Sequence, residues 1–362
     1  MGARLLARAL GERQTVAFDV GHYSVKMVRV LHTSRNQHIV LAADLEPLDE
    51  GVIVDCNIQD TEKLHEAVMK LIARNITDSY PVDYTVSING ASGVLVDQMT
   101  VKLQKNMNED ALILQTAQTR PPFDDQDNVL DYQVVSKNNE EVNVIVVAAK
   151  SAQLNALADF FRSLDKKLSC IDVACFGLAN AYKAFASPEE SDKTIALFNI
   201  GEKKMNSVYL MNGYFHSLRA MTSGALDSVI NMLNKHLGID AKKCHEIFES
   251  GDVSCVEGFS EADVEAALQM SYEEIVSAVE FGIRYFSSHE GGEKPVKLYF
   301  GGGGAALPNL KNYIAERIGI ETDTLNPFKN VVYSSGVVGE KGMSLALSNI
   351  YAPALGLAMR KF

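Results

Sequence analysis

The chain lacks the features by which several large protein classes are recognised. Its five cysteines are scattered and form no CxxC pair, so neither a zinc site nor a disulfide framework is indicated. No apolar run approaches the roughly 18–20 residues that a membrane-spanning helix requires. Acidic residues outnumber basic ones by 46 to 34, a formal net charge of −12. That charge argues against non-specific binding to nucleic acid or to an anionic membrane, and we expect neither nucleic-acid partners nor direct membrane insertion.

The N-terminal end also lacks a targeting signal. Residues 1–13 are mildly basic and amphipathic, without the apolar core of a signal peptide. Leu6 stands where a myristoylation motif has Ser or Thr. We therefore expect a flexible lead-in, followed by enough chain for two domains and more than one hydrophobic core.

What the chain does contain is a glycine turn that occurs twice. Phe18-Asp19-Val20-Gly21 and Phe198-Asn199-Ile200-Gly201 each close an apolar run, and each is followed by a second strand-like segment. Either turn alone is unremarkable, because Gly and Asp are common at hairpins. The repetition predicts equivalent hairpins in the two halves of a duplicated fold.

A run of four glycines, Gly301–Gly304, follows the strand-like segment Val296–Phe300 and precedes a helix predicted at Pro308–Ile318. Glycine lets the backbone approach phosphate groups closely because it has no Cβ. Together the three turns predict a nucleotide site, although no Walker A loop is present. Gly224 remains open between a further phosphate contact and an ordinary loop that starts a helix.

The predicted site draws on both hairpins and on the glycine run. Asp19 is expected to orient a Mg²⁺-bound water, and Asn199 to do so more weakly. Lys26 is open between a phosphate contact and an exposed strand lysine. The residues predicted to bind nucleotide are Asp19, Gly21, His22, Tyr23, Ser24, Lys26, Asn199, Gly201, Gly224, Gly301, Gly302, Gly303 and Gly304.

Residues between the two hairpins differ in character. A helix is predicted at Thr61–Asn75 from its apolar spacing. Beyond it, a strand–helix–strand–strand pattern indicates an inserted small α+β subdomain. The predicted organisation is a lead-in at 1–13, a first half at 14–88, the insert at 89–150, connecting helices of the first half at 151–190, and a second half at 191–362.

Several stretches resemble one family. Phe18–Lys26 is similar to the first phosphate motif of actin-like ATPases, and most similar to that of the PilM family of type IV pilus assembly. Arg120-Pro121-Pro122-Phe123 with Val129–Val134, and Asn326-Pro327-Phe328 with Ala354–Ala358, carry the more specific part of the resemblance. The resemblance implies an α/β protein: a duplicated actin-like ATPase fold of two RNase H-like halves, with an SHS2-type insert. It also implies ATP or ADP, with Mg²⁺, as cofactors.

The resemblance further implies a scaffold at the inner face of the inner membrane, recruited by the N-terminal cytoplasmic peptide of PilN. That peptide is apolar and extended, and we expect it to dock beside residues 89–150 through a strand edge and apolar pockets. Pilus motor ATPases, the platform protein PilC and self-association remain open as further partners.

Three departures from the family pattern bear on hydrolysis. Asn199 stands where the second phosphate motif usually has Asp, and Ala174 where a carboxylate or amide often positions water. Phe248 aligns with a lysine that approaches the adenosine in related proteins, although Lys242 and Lys243 are nearby. Since loss of such groups commonly costs on the order of 10²-fold in rate, we expect ATP binding with weak or no hydrolysis.

Two other functions fit the same fold. A sugar or acetate kinase would need a carboxylate beside the acceptor hydroxyl, and Asp172 is the candidate. An FtsA-like cell-division protein would continue into an amphipathic membrane helix, and a GspL-like protein into a membrane span; the present sequence shows neither. The eight histidines show no ligand spacing and are expected at the surface or at helix caps.

Overall fold

The computed structural model describes residues 12–35, 37–78, 80–89, 93–104, 107–221, 223–250, 252–256, 258–337 and 345–360. Most of the predicted lead-in, residues 1–11, lies outside this set. Within the described residues, no helix combines the length and the apolar character needed to cross a bilayer.

The chain alternates strands and helices in an order that builds three main sheets. The strands are β1 Arg13–Val20, β2 Ser24–His32, β3 His38–Pro47, β4 Ile53–Val54, β5 Asn57–Ile58, β6 Val82–Ile88, β7 Val94–Lys102, β8 Asn128–Lys137, β9 Glu141–Lys150, β10 Leu168–Val173, β11 Ile195–Ile200, β12 Met205–Met211, β13 Tyr214–Met221, β14 Lys297–Gly301, β15 Glu321–Thr324 and β16 Val332–Tyr333. The α-helices are α1 Thr61–Asn75, α2 Glu109–Gln118, α3 Ser151–Ser163, α4 Ala174–Phe185, α5 Leu226–Leu237, α6 Ala241–Ser250, α7 Glu261–His289, α8 Leu310–Ile318 and α9 Ala352–Ala358.

The first large sheet has the order β10-β6-β1-β2-β3-β16. Strands β1, β2 and β3 form an antiparallel meander, whereas β6 runs parallel to β1. Helix α1 covers one face with the apolar residues that its spacing predicted, and Asp60 caps its N-terminus by accepting a bond from the Lys63 N–H. Phe18 of β1 packs there against Phe161 of α3.

The second large sheet repeats this arrangement with the order β13-β12-β11-β14-β15. Its strands β11, β12 and β13 form a second antiparallel meander, and β14 runs parallel to β11 as β6 runs parallel to β1. The register is equivalent as well, because Asp19 pairs with Lys26 in one hairpin and Asn199 with Asn206 in the other. The predicted duplication of the hairpin is therefore confirmed.

A smaller sheet with the order β7-β9-β8 lies between β6 and α3 in the chain and carries helix α2 on one face. Its strand–helix–strand–strand order is the predicted one. Asn108 caps α2 as the sequence indicates, and Phe123 fills the core beneath it. Because β8 is an outer strand of this sheet, one of its edges is not paired within the sheet.

Two predicted helices near the C-terminus have different bounds. Helix α8 begins at Leu310 rather than at Pro308, because Asn309 has a left-handed backbone (φ 57°) that a right-handed helix does not accommodate. The small-residue stretch Pro353–Lys361 also predicts a helix from the sequence. In the structure this helix is α9, Ala352–Ala358, which follows a 3₁₀ segment at Leu345–Tyr351; Lys361 lies outside the described residues.

Helices α4 and α9 cross in contact at two glycines. A Cβ on Gly356 would overlap the carbonyl oxygen of Gly177, and a Cβ on Gly177 would approach the side chain of Leu357 to 2.9 Å. The absence of side chains at this crossing lets the two backbones touch. Helix α9 is thereby fixed to α4, with its residues buried along the whole helix.

Candidate functional site

A cavity of about 360 Å³ lies between the two glycine hairpins. Both halves line it: the first supplies the β1–β2 turn, and the second supplies the β11–β12 turn, helix α6 and the loop after β14. The predicted site residues that line it are Asp19, Gly21, His22, Tyr23, Ser24, Lys26, Asn199, Gly201, Gly302 and Gly303. The structure thus brings together segments that are nearly 300 residues apart.

The two hairpin glycines serve the turns themselves. The N–H of Gly21 donates to the carbonyl of Ser24 (3.0 Å), and the N–H of Gly201 donates to the carbonyl of Lys204 (2.9 Å). A Cβ on either glycine would come within 3.2 Å or less of that same carbonyl. Neither glycine N–H is therefore free to bind a phosphate, and the matched geometry makes Ser24 and Lys204 equivalent positions.

Asp19 and Lys26 lie opposite each other at the first hairpin. Asp19 is 8% exposed and accepts a hydrogen bond from the Ser87 hydroxyl (2.7 Å). The ammonium group of Lys26 donates to the Ser24 carbonyl (3.3 Å) and lines the cavity. Lys26 was open between a phosphate contact and an exposed strand lysine, and this position favours the phosphate contact.

Three oxygen atoms of the second hairpin are buried without a hydrogen-bond partner. They belong to the side chains of Asn199, Glu202 and Asn206, all of which line the cavity. Unpaired buried oxygens are costly, so a ligand that supplies donors or positive charge fits here. In the described part of the chain, no three His, Cys, Asp or Glu residues form a metal-binding group. The donor set therefore fits a hydrated Mg²⁺ held through water, rather than a directly ligated ion.

The four-glycine run packs mainly against the second hairpin. Gly302 has φ 80°, and a Cβ there would lie 2.5 Å from the carbonyl oxygen of Ile200. A Cβ on Gly304 would overlap the Ile200 side chain. Gly301 and Gly304 do not line the cavity. These glycines therefore allow close packing of two loops, and only Gly302 and Gly303 face the cleft.

Gly224 and Asp172 are placed outside the cleft. The N–H of Gly224 donates to the carboxylate of Glu274 (3.2 Å), which favours the interpretation of this glycine as part of an ordinary loop. Asp172 is ion-paired with Arg360 and lines a different, larger cavity. Burial raises the pKa of its carboxyl group, and the positive charge of Arg360 opposes that rise.

An aromatic contact joins the two halves at the cleft. Tyr23, from the first hairpin, stacks on His245 of α6 with ring centroids 3.8 Å apart and planes at 15°. A ring nitrogen of His245 donates to Glu202 (3.2 Å). His245 is 8% exposed, so the expectation that all histidines lie at the surface or at caps is wrong for this residue.

Electrostatics in the cleft keep two further groups in their neutral forms. Burial lowers the pKa of the His22 imidazole, and nearby lysines, first Lys204 and then Lys203, lower it further. Burial likewise raises the pKa of Tyr23, with the carboxylates of Glu249 and Glu202 adding to the effect.

Some cleft residues were not predicted from the sequence. Glu202 and Lys204 follow Gly201 at the positions that His22 and Ser24 occupy after Gly21, so an alignment of the two turns identifies them. Cys56, with its pKa raised by burial to about 11, and His245 reach the cleft through tertiary packing alone. Phe248 does line the cleft, whereas Lys242 and Lys243 do not.

The larger cavity, about 1140 Å³, is a groove beside the edge strand β8. Strand β8 contributes Val129 and Val134, which are 48% and 43% exposed. Helix α4 contributes Phe176, whose ring meets Phe215 of β13 edge-on at 5.0 Å. The groove therefore combines a strand edge that is unpaired within its sheet with apolar walls from the insert and from both halves.

A family model described as type IV pilus assembly protein PilM matches residues 17–362. The fold is similar to that of the PilM-PilN type IV pilus biogenesis complex, with TM-score 0.78, 18% identity, and 95% of this chain and 97% of that chain covered. It is also similar to the ethanolamine utilization protein EutJ from Carboxydothermus hydrogenoformans (TM-score 0.54, 12% identity, 96% and 89% covered). A further match is MreB5 of Spiroplasma citri bound to ADP (TM-score 0.50, 10% identity, 94% of both chains covered). At these identities the structural matches show the fold, which is actin-like.

Proposed function

The chain belongs to the family of type IV pilus assembly protein PilM, and on that premise we propose that it is a nucleotide-binding scaffold recruited by the N-terminal peptide of a PilN protein. Recruitment through this peptide would hold it peripherally at the inner face of the inner membrane. Motor ATPases, a PilC protein and a second copy of the chain are further proposed partners within the same assembly.

The groove beside β8 is the observation that carries this proposal. An extended apolar peptide can add to the edge of β8 by main-chain hydrogen bonds, while alternate side chains enter the apolar walls. The groove is large enough for such a segment, at about 1140 Å³. The similar fold in the PilM-PilN complex supports PilN as the source of the peptide.

The cleft between the hairpins is the proposed site of ATP or ADP. Lys26 and Lys204, one from each hairpin, supply positive charge for the phosphates. Asp19 would hold Mg²⁺ through water, with Asn199 in a weaker role, and the ion would neutralise phosphate charge. The MreB5 protein of this fold was solved with ADP, which supports a nucleotide as the ligand.

Hydrolysis is proposed to be weak or absent. Asp172 lies in the groove, where Arg360 pairs with it, and not beside the phosphates. The second hairpin offers Asn199 in place of a carboxylate. We expect phosphate release well below the ordinary enzyme range of roughly 1 s⁻¹. The kinase alternative loses its candidate catalytic carboxylate for the same reason, and no observation favours the FtsA-like alternative.

Peptide binding tests the proposal directly. A labelled peptide from the N-terminus of the PilN protein of the same organism is titrated with the protein, and fluorescence anisotropy reports binding. Val134→Lys places a charge at the β8 edge and is expected to weaken binding at least tenfold, because charged side chains obstruct strand addition. Met270→Lys, at a 56%-exposed position on α7 that does not line the groove, is the matched control.

A second variant lacks residues 89–150, and its binding of the PilN peptide is expected to disappear. Retention of the heat-unfolding transition in each variant shows that the remaining fold survives. Equal affinity of the unaltered protein and Val134→Lys would contradict the placement of the peptide in this groove. Absence of any binding by the unaltered protein would contradict recruitment by PilN.

A further inference from the structure

Two contacts join the halves beside the nucleotide cleft. One is the stack of Tyr23 on His245, with ring centroids 3.8 Å apart. The other is the ion pair of Lys204 with Asp55 of the β4–β5 turn, at 3.7 Å. In each contact one partner belongs to the first half and the other to the second. We call these four residues the clasp.

The clasp residues are anchored on their own sides of the cleft. The carbonyl of Tyr23 accepts a hydrogen bond from the N–H of Leu48 (2.8 Å), which fixes the backbone of the first hairpin. On the other side, His245 is held by Glu202 and meets the ring of Phe248 edge-on at 5.9 Å. The backbone of Glu202 is itself fixed, because its carbonyl accepts from the N–H of Asp227 at the start of α5.

The stronger part of the clasp is the aromatic one. The Lys204–Asp55 pair is exposed on the Asp55 side (71%), and exposed ion pairs contribute little. In the Tyr23–His245 stack His245 is buried and Tyr23 is half-buried, and a stacked aromatic pair contributes beyond the area that it buries. Tyr23, His245 and Lys204 also line the cavity, so the contacts that join the two halves lie at the proposed ligand site itself.

We propose that the Tyr23–His245 stack is a gate that sets the rate at which nucleotide enters and leaves the cleft. The proposal rests on the nucleotide-binding function proposed above. Opening the gate separates the two rings and parts the halves at the mouth of the cleft. A gate slows entry and exit together, whereas a residue that only contacts bound nucleotide slows exit alone.

The test is stopped-flow mixing of the full-length protein with fluorescently labelled ATP in the presence of Mg²⁺. Tyr23→Ala and His245→Ala are each expected to raise both the association and the dissociation rate constants about five- to tenfold, as loss of one aromatic stack predicts. For His245→Ala, which lies outside the predicted nucleotide contacts, the dissociation constant should change by much less than either rate constant. The double variant should match the single ones, because either change alone removes the stack.

The chain offers a matched control on its surface. Tyr285 and His289 of α7 stack with centroids 4.5 Å apart and planes at 9°, away from the cleft. Tyr285→Ala should leave both rate constants unchanged. Rates that do not respond to Tyr23→Ala or His245→Ala, or a rise in the dissociation rate alone, would overturn the gate while leaving nucleotide binding intact. If the unaltered protein binds no labelled ATP, the proposed nucleotide function fails instead.

Discussion

The charge pair of Asp172 and Arg360 shows how one residue acquires its role from its surroundings. The Asp172 side chain is 7% exposed and that of Arg360 is 40% exposed, at the floor of the groove. Burial raises the pKa of Asp172, while Arg360 keeps the carboxylate form accessible. The carboxylate that is the kinase candidate in the sequence thus pairs with Arg360 and lines the groove.

Removing the Arg360 side chain should show how much the buried, unpaired carboxylate of Asp172 destabilises the folded state. Arg360→Met is expected to destabilise the protein by about 1–2 kcal/mol at pH 7, less than for a fully buried pair because Arg360 is partly exposed. Without Arg360, the pKa of Asp172 in the folded state rises further above its unfolded value. The folded state then binds a proton more readily than the unfolded state, so stability increases as the pH falls through the raised pKa toward the unfolded value.

Urea unfolding of Arg360→Met at pH 7 and at pH 5, each compared with the unaltered protein, measures this difference. The loss of unfolding free energy in Arg360→Met should be smaller at pH 5 than at pH 7. Combining Asp172→Asn with Arg360→Met should restore much of the lost stability at pH 7. An equal loss of stability at pH 7 and pH 5 would show that the Asp172 carboxylate is not what destabilises Arg360→Met.

Helices α5 and α9 each depend on a glycine, but for different physical reasons. At the α4–α9 crossing the requirement is space, because a Cβ on Gly356 would overlap the backbone of Gly177. At the end of α5 the requirement is conformation, because Gly238 has φ 64° with open space around it. The same substitution therefore has different consequences at the two positions.

Gly356→Ala is expected to cost about 3 kcal/mol, since two packed helices must move apart to admit one methyl group. Gly238→Ala should cost only about 1 kcal/mol, the strain of a left-handed residue with a Cβ. Thermal unfolding of the two variants measures the contrast. Equal and small losses would mean that the α4–α9 contact relaxes freely, contrary to its burial.

At the scale of the molecule, one segment connects the two cavities. The 3₁₀ segment before α9 lines the cleft through Leu347 and Ile350, and the residues that follow α9, Met359 and Arg360, line the groove. Helix α9 between them is fixed to α4, which also lines the groove. A movement of the cleft can therefore reach the groove through packed backbone.

Nucleotide and peptide are accordingly expected to influence each other. Saturating ATP should change the dissociation constant of the PilN peptide by at least about fivefold, the lower end of usual coupling energies. Saturating peptide should change the dissociation constant of ATP by the same factor, because such coupling is reciprocal. Anisotropy titrations of peptide with and without ATP, and of ATP with and without peptide, measure the two changes. If neither dissociation constant changes, the cleft and the groove are not coupled.

The sequence by itself determined the local elements and the duplicated plan of the fold. Helix α1 has its predicted bounds because apolar spacing and the Asp60 cap act within a few residues. The two hairpins were recognisable because a Cβ at either turn glycine would crowd the carbonyl that its own N–H binds, so glycine is favoured there. The start of α8 was misplaced because the left-handed backbone of Asn309 has no signature in the neighbouring residues.

Only the tertiary structure decided which of these residues meet. Gly301 and Gly304 pack loops together, Gly224 binds Glu274, and Asp172 faces the groove instead of the cleft. His245 and Cys56 enter the cleft from elements with no recognisable motif. Local pattern fixes a residue's backbone, but the direction of its side chain relative to a distant cavity depends on how the sheets and helices pack. The cleft and the groove are products of that packing.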